Sequence, residues 1–269
     1  MDFATMMALE PHGTDVWVGT GPRYPWGGLY GGQIVAQALR AGTLTVDPAF
    51  RVHSLHAYFI RLGDAREPIR FEVDRVRNGR SFCTRRVTAR QSVGVILELT
   101  ASFQVDEDAP TAQTALMPDV PGPAELTDDS WSPIFQRRLV SRGDGEVRTW
   151  MRIAGEIGDE PGLHACGLAY LSDDLPTDAV VSLDRARSAS ERGVEEQAVE
   201  GEFFSASLDH AIYFHRPMAA DRWQLQTFTC HGLMSSRGVS VGYVFTEDGT
   251  HVATVVQEVL LRDARARGR

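Results

Sequence analysis

Apolar residues recur along this chain with two different periods. In PIRFEVDRV, Ile69, Phe71 and Val73 fall on one side of an extended segment. Trp223, Leu225, Thr227 and Thr229 share one parity, as do Val239, Val241, Tyr243 and Phe245. Alternation with period two in β-branched and aromatic residues predicts strands whose buried face carries these side chains. Asp248-Gly249, in TEDGTHVA, marks a hairpin turn, and Asn78-Gly79 suggests the matching turn in the first half. Ahead of each strand block the period lengthens. GGQIVAQALRAG places Ile34, Val35, Ala38 and Leu39 at helical spacing, and LHACGLAYLSDD does so with Leu163, Cys166, Leu168, Tyr170 and Leu171. Both segments are too apolar for a surface helix. Each therefore reads as a helix of about 12 residues wrapped by the antiparallel sheet that follows it.

The two halves also repeat phrases. Residues 54–61 read SLHAYFIR and residues 207–217 read SLDHAIYFHRP. Ser54 and Ser207 lie 153 positions apart; Thr100 of LELTASFQ and Thr254 of HVATVVQE lie 154 apart. Two anchors in nearly one register imply a duplicated unit, and the period is far too long for a solenoid. The expected organisation is an N-terminal unit over 1–110, a linker or crossing segment over 111–145 and a C-terminal unit over 146–269. The crossing stretch is rich in proline and acidic residues. Residues 184–201, DRARSASERGVEEQAVEG, are polar and charge-mixed, which suggests a flexible loop.

Composition narrows the chemistry. The formal net charge is −9, against the basic surface that a nucleic-acid partner requires. No run approaches the ~18 apolar residues of a membrane span, and MDFATMMALEPHG lacks the layout of a signal peptide. Cys83, Cys166 and Cys230 are odd in number and far apart, forming neither a disulfide framework nor a zinc pattern. A cytoplasmic protein fits these features best. All 27 basic residues are Arg. Without lysine there is no Schiff base and no Walker lysine, so anionic ligands must meet Arg, His or backbone amides. Neither GxSxG, HExxH nor a complete dinucleotide fingerprint occurs. An enzyme of this composition is expected to need neither metal nor redox cofactor, and to work through polar side chains around an activated water.

Several blocks occur in a telling order. They are YGGQIVAQAL (30–39), VHSLHAYFIRLGD (52–64), RNGRSFCTRRV (77–87), TASFQ (100–104), AYLSD (169–173), SLDHAIYFHRP (207–217), SSRG (235–238) and VVQE (255–258). Together they resemble the acyl-CoA thioesterase II family, the TesB-like thioesterases, from about residue 27 to 262. The resemblance implies an α+β double hotdog fold, two fused units that each wrap a long helix in an antiparallel sheet. It implies hydrolysis of acyl-CoA to free acid and CoA without a cofactor, in a homo-oligomer. It also implies a site in which an Asp, a hydroxyl residue and a Gln hold a water. Matched block by block, these are Asp173, Ser207 and Gln257, with Asp174 as the neighbouring alternative to Asp173. Some members carry Thr at the Ser207 position. The first half has Ser54 in the Ser207 register but apolar or small residues near the others, so the second half is expected to supply the chemistry.

The remaining candidates follow from that implied activity. Asp209, the residue added in the second phrase, and His210 next to it are candidates to support the site from behind the catalytic groups; Asp209 alternatively pairs with His210 or Arg216. Backbone N–H groups at Gly31-Gly32 are candidates for an oxyanion or substrate contact. Arg77, Arg80, Arg85, Arg86 and Arg237 are candidates for the CoA phosphates. A thioester suits this residue set, because a thiolate leaves well (ordinary thiol pKa ~8.5) and the enzyme need only deliver water and stabilise an oxyanion. A partly buried Asp173 is expected to titrate above its ordinary range. Two other readings compete: a non-catalytic acyl-CoA-binding protein, and another hotdog enzyme such as a hydratase.

Overall fold

The computed structural model describes residues 1–194 and 203–263. The first half contributes α1 (Phe3–Met7), β1 (Glu10–Pro11), β2 (Val16–Gly19), α2 (Gly31–Thr43), β3 (Phe50–Phe59), β4 (Ile69–Asn78), β5 (Phe82–Gln91) and β6 (Gly94–Val105). The second contributes β7 (Phe135–Gly143), β8 (Glu146–Ile153), α3 (Pro161–Leu171), α4 (Leu175–Arg192), β9 (Phe203–Ser207), β10 (Asp209–Phe214), β11 (Gln224–Met234), β12 (Arg237–Thr246) and β13 (His251–Asp263). The strands form one antiparallel sheet in the order β1-β2-β4-β5-β6-β3-β10-β13-β12-β11-β8-β7, with β9 on β13.

The two halves meet where β3 pairs with β10, Asp209 opposite Tyr58 and Tyr213 opposite Ser54. The repeated phrases are thus the seam between the units, each the hydrogen-bonding partner of the other. Helices α2 and α3 pack together inside the curve of the sheet. Both are buried almost all round: Val35, Ala36, Ala38 and Leu39 on α2, and Cys166, Leu168, Ala169 and Tyr170 on α3, are fully covered. α3 is apolar nearly all round, as a central helix requires, whereas α2 also buries Gln33, which accepts from the Tyr24 hydroxyl, and Gln37, which donates to the Met6 and Thr20 carbonyls.

The strand faces differ in part from expectation. Ile69, Phe71 and Val73 do face the core. On β11 and β12 the inward residues are instead Gln224, Gln226, Phe228 and Cys230, and Gly238, Ser240, Gly242 and Val244. Val239 and Tyr243 point outward and are exposed, while Leu225 and Phe245 are buried on the outer face with Trp150. The crossing segment explains this, because Ala115, Met117, Val120 and Leu126 lie over that outer face. Both faces are covered there, so alternation cannot tell inside from outside. The small inner residues have their own cause. A Cβ on Gly238 would press on Val180 of α4, and one on Gly242 on the Phe228 ring.

Other local expectations fared unevenly. Asp248-Gly249 turns β12 into β13, with Gly249 at φ +83°. Asn78-Gly79 joins β4 to β5, so its counterpart in the second half is the Ser235-Ser236 turn between β11 and β12, not Asp248-Gly249. Residues 184–192 form the end of α4 rather than a loop; of the remainder of that polar stretch, 195–201 fall outside the described residues. Within 111–145, β7 is part of the sheet and pairs with β8.

Candidate active site

The N-terminus of α2 sets the geometry. Its N-cap, Tyr30, makes no side-chain cap, so the first helical N–H groups need another acceptor. The Asp173 carboxylate fills that need. It lies just beyond the end of α3 and accepts the Gly32 N–H. A negative charge at a helix N-terminus is favourable. Glycine is required for this approach: a Cβ on Gly31 would stand 2.5 Å from Asp173 Oδ2 and 3.0 Å from the Phe59 ring, and one on Gly32 would collide with the Tyr170 carbonyl oxygen.

Two strands bring the other groups. Ser207, at the end of β9, donates to Asp173 Oδ1 at 2.9 Å. Gln257, on the inner face of β13, donates from Nε2 to Ser207 Oγ at 2.8 Å. Three residues separated by up to 84 positions thus form one hydrogen-bonded run. Asp173 and Gln257 are buried, and Ser207 is half-buried. Burial pushes the Asp173 carboxyl up to about 7, against the opposing hydrogen bonds from Ser207, Gly32 and Gln257.

The run continues inward. His210, fully buried on β10, meets Gln257 Oε1 through Nδ1 at 2.5 Å and Ser172 Oγ through Nε2 at 2.9 Å. Burial depresses the imidazole to about 4. Asp174 turns elsewhere: Trp131 Nε1 donates to it at 2.7 Å and Arg137 Nη1 at 2.8 Å. Of the two adjacent carboxylates, Asp173 alone joins Ser207 and Gln257. Around them stands an aromatic wall. Tyr24 stacks on Trp26 at 5.1 Å, Trp131 meets Trp26 and Tyr30 edge-on at 5.2 Å, and the Tyr30 hydroxyl donates to the Tyr170 carbonyl. Trp26 is half exposed at the rim.

Other candidates sit apart from this run. Asp209 Oδ2 pairs with His56 across the seam at 3.1 Å and Oδ1 accepts the Glu258 N–H at 2.6 Å, rather than meeting His210 or Arg216. Arg216 instead donates to the His251 and Ala112 carbonyls. Arg85 is buried in the first unit, donating to Thr45 Oγ1 and to the carbonyls of Thr45, Arg77 and Thr84. Arg237 pairs with Glu258 and Arg86 with Asp74 on exposed strand faces. Arg77 and Arg80 lie on either side of the Gly79 turn. Among the described residues no cluster of His, Cys, Asp and Glu is placed to hold a metal ion, and no helix is long and apolar enough to cross a membrane.

Reading the residues one at a time missed Ser172, Trp131 and Arg137. Ser172 stood inside the AYLSD block, and its only signal was its place beside Asp173. Trp131 and Arg137 carried none, because their role exists only through the fold of the crossing segment against the end of α3.

Comparison with known proteins agrees with this architecture. Residues 20–104 match a family model described as the acyl-CoA thioesterase N-terminal domain, and residues 102–261 its C-terminal domain. The human protein named acyl-coenzyme A thioesterase 8 is 32% identical over 96% of this chain and 88% of its own. The crystal structure of an acyl-CoA thioesterase II, TesB2, from Mycobacterium marinum superposes with a TM-score of 0.82 at 33% identity, covering 98% of both chains. A hot dog fold protein from Alicyclobacillus acidocaldarius superposes at 0.79 with 21% identity over 97% of both chains, which bears on the fold alone. With both halves matched in order and a double hotdog sheet around its paired helices, this chain belongs to the acyl-CoA thioesterase II family.

Proposed function

We propose that this chain hydrolyses acyl-CoA thioesters, with Asp173, Ser207 and Gln257 holding the attacking water. The observation that carries the reading is the continuous run of hydrogen bonds from Gln257 through Ser207 to Asp173. Each group has a defined part. The Asp173 carboxylate takes a proton from the water as its oxygen attacks the thioester carbonyl. Ser207 and Gln257 hold that water by hydrogen bonds, since a hydroxyl and an amide each donate and accept. The tetrahedral intermediate collapses with loss of the CoA thiolate, giving the free acid. Gly32 commits its N–H to Asp173, so the oxyanion falls to the Gly31 N–H and the positive end of α2. The wall of Tyr24, Trp26, Tyr30 and Trp131 offers apolar surface for the acyl chain.

The raised pKa of Asp173 supports the base role, because a base works best when its pKa lies near the working pH. The same reading places the enzyme in lipid metabolism and in the cytoplasm, consistent with three buried free thiols. It also makes the chain a homo-oligomer, for which the exposed Tyr58, Tyr213, Tyr243 and Val239 on the outer sheet face provide apolar contact surface. The test is thiol release from a panel of acyl-CoAs of increasing length. Wild type releases thiol from at least one. Asp173→Asn lowers kcat by about 10³-fold with substrate binding retained. Binding without hydrolysis on every chain length would instead favour an acyl-CoA-binding protein.

A further inference from the structure

We propose that His210 is a positioning residue: a neutral imidazole, protonated on Nδ1 and held by Ser172, that fixes which way the Gln257 amide faces and so aims its NH₂ at Ser207 and the water. This rests on the hydrolase reading above for its catalytic consequence, but its structural content stands independently.

The assignment follows from donor and acceptor counting along the run. An ionised Asp173 only accepts, so Ser207 must give it the hydroxyl proton across the 2.9 Å contact. The Ser207 oxygen is then an acceptor, and its neighbour at 2.8 Å must be the NH₂ end of Gln257. That orientation leaves Gln257 Oε1 facing His210 Nδ1, which must carry a hydrogen to donate. Nε2 of the neutral ring is then an acceptor, and Ser172 Oγ–H at 2.9 Å is its donor. Every donor in the series Ser172, His210, Gln257, Ser207 points toward Asp173. Reverse a link between His210 and Asp173 and two acceptors, or two hydrogens, face each other at hydrogen-bond distance; reversing the Ser172 link, with its hydroxyl turned to the Ala169 carbonyl, would need a charged ring. An amide by itself has no such preference, since its two ends are nearly the same size.

The surroundings are built to hold that state. His210 is fully covered and its ring is depressed to about 4, so it stays neutral through the physiological range. Its neighbours from each side are known. From β13 it meets Gln257, from the α3 end Ser172, and the charges nearest on its own and the adjoining strand, Asp209 and His56, face each other on the opposite side of the sheet. In the first unit the corresponding inner pair is Leu55 opposite Ala101, which orients nothing. The polar pair is therefore no general need of the fold.

The experiment combines spectroscopy with kinetics. In ¹⁵N-histidine-labelled wild type, long-range ¹H–¹⁵N correlation at pH 7.5 is expected to show His210 with a protonated Nδ1 and a bare Nε2. An Nε2–H tautomer or an imidazolium overturns the proposal. His210→Leu is expected to lower kcat about 50- to 100-fold with KM changed less than threefold. His210→Asn puts an amide NH₂ where Nδ1 stood and is expected to recover kcat to within tenfold of wild type. Ser172→Ala, which leaves the ring in place, is expected to cost about five- to tenfold in kcat and to mix the two tautomers. Equal losses in Leu and Asn variants that both melt like wild type would overturn the positioning role. Should His210→Leu fail to fold, the tautomer and Ser172→Ala decide. If wild type hydrolyses no acyl-CoA, the function fails while the tautomer measurement still judges the orientation.

Discussion

The two ends of the α2–α3 helix pair are built alike and used differently. At one end the N-terminus of α2 meets the end of α3, and Gly31-Gly32 admit the Asp173 carboxylate. At the other the N-terminus of α3 meets the end of α2. There Gly162 faces the Thr43 methyl and, farther off, the Glu160 carboxylate, which Arg40 of α2 holds in an ion pair. The sheets repeat the contrast. The first unit pairs Leu55 with Ala101, while the second bonds His210 to Gln257. Nearby in the first unit, the buried Arg85 spends its donors on Thr45 and backbone carbonyls. Duplication supplied two equivalent scaffolds, but the polar set was built at one end. Further buried polar side chains, Thr149, Gln224, Gln226 and Ser240, lie on the inner face of β8, β11 and β12 of the second unit, outside that hydrogen-bonded run.

This contrast can be broken by substitution, and the largest effect is expected at the helix end that must remain bare. Gly31→Ala pushes a methyl against Asp173 Oδ2, and kcat should fall about 10²-fold or more. Gly162→Ala, at the other end, meets a side-chain methyl and should leave kcat within threefold; comparable losses in both would erase the distinction between the ends.

The pH profile sharpens the same point. Asp173 acts in its ionised form and is held at about 7, so kcat/KM should fall tenfold per pH unit below about 7 and level off above it. His210, at about 4, adds no limb in that range. A profile flat down to pH 5 would remove Asp173 as the base. Stability runs the opposite way. The folded-state pKa lies above the unfolded one, so the fold favours the protonated acid. That contribution is complete below about 4 and is lost as pH rises through about 7. Asp173→Asn should therefore unfold with about 1–3 kcal/mol more stability than wild type at pH 8, the two converging near pH 4. Denaturant unfolding at both pH values checks it. Smallest of all, Ser54→Ala should leave kcat within twofold, although Ser54 opens the phrase that recurs at Ser207: in the sheet it is Val52, opposite Phe103, that stands where Ser207 stands opposite Val259.

Much of the architecture was legible in the residues. The helices over 31–43 and 161–171 announced themselves by composition, because segments so rich in apolar and small residues are driven to the centre. The duplication was visible in the two phrases, since equal packing demands equal patterns. What failed did so for a physical reason. On β11 and β12 the outer face is covered by the crossing segment, so the apolar parity there marked a second buried surface rather than the core. Residues 184–192 read as a loop by polarity, yet form a helix whose inner residues, Ser188 and Ala189, are small enough to be buried.

The site divides along the same line. Sequence blocks brought forward Asp173, Ser207 and Gln257, but only the fold separates Asp173 from Asp174, because that choice depends on Trp131 and Arg137 reaching the second carboxylate and not the first. The sequence by itself determined the paired helices, the repeat and the residue types that chemistry would need, all of which depend on local pattern and composition. Tertiary structure alone decided which groups touch, which carboxylate loses its water and which way a buried amide faces. Those are properties of distance and desolvation among residues up to 84 positions apart, and no local pattern encodes them.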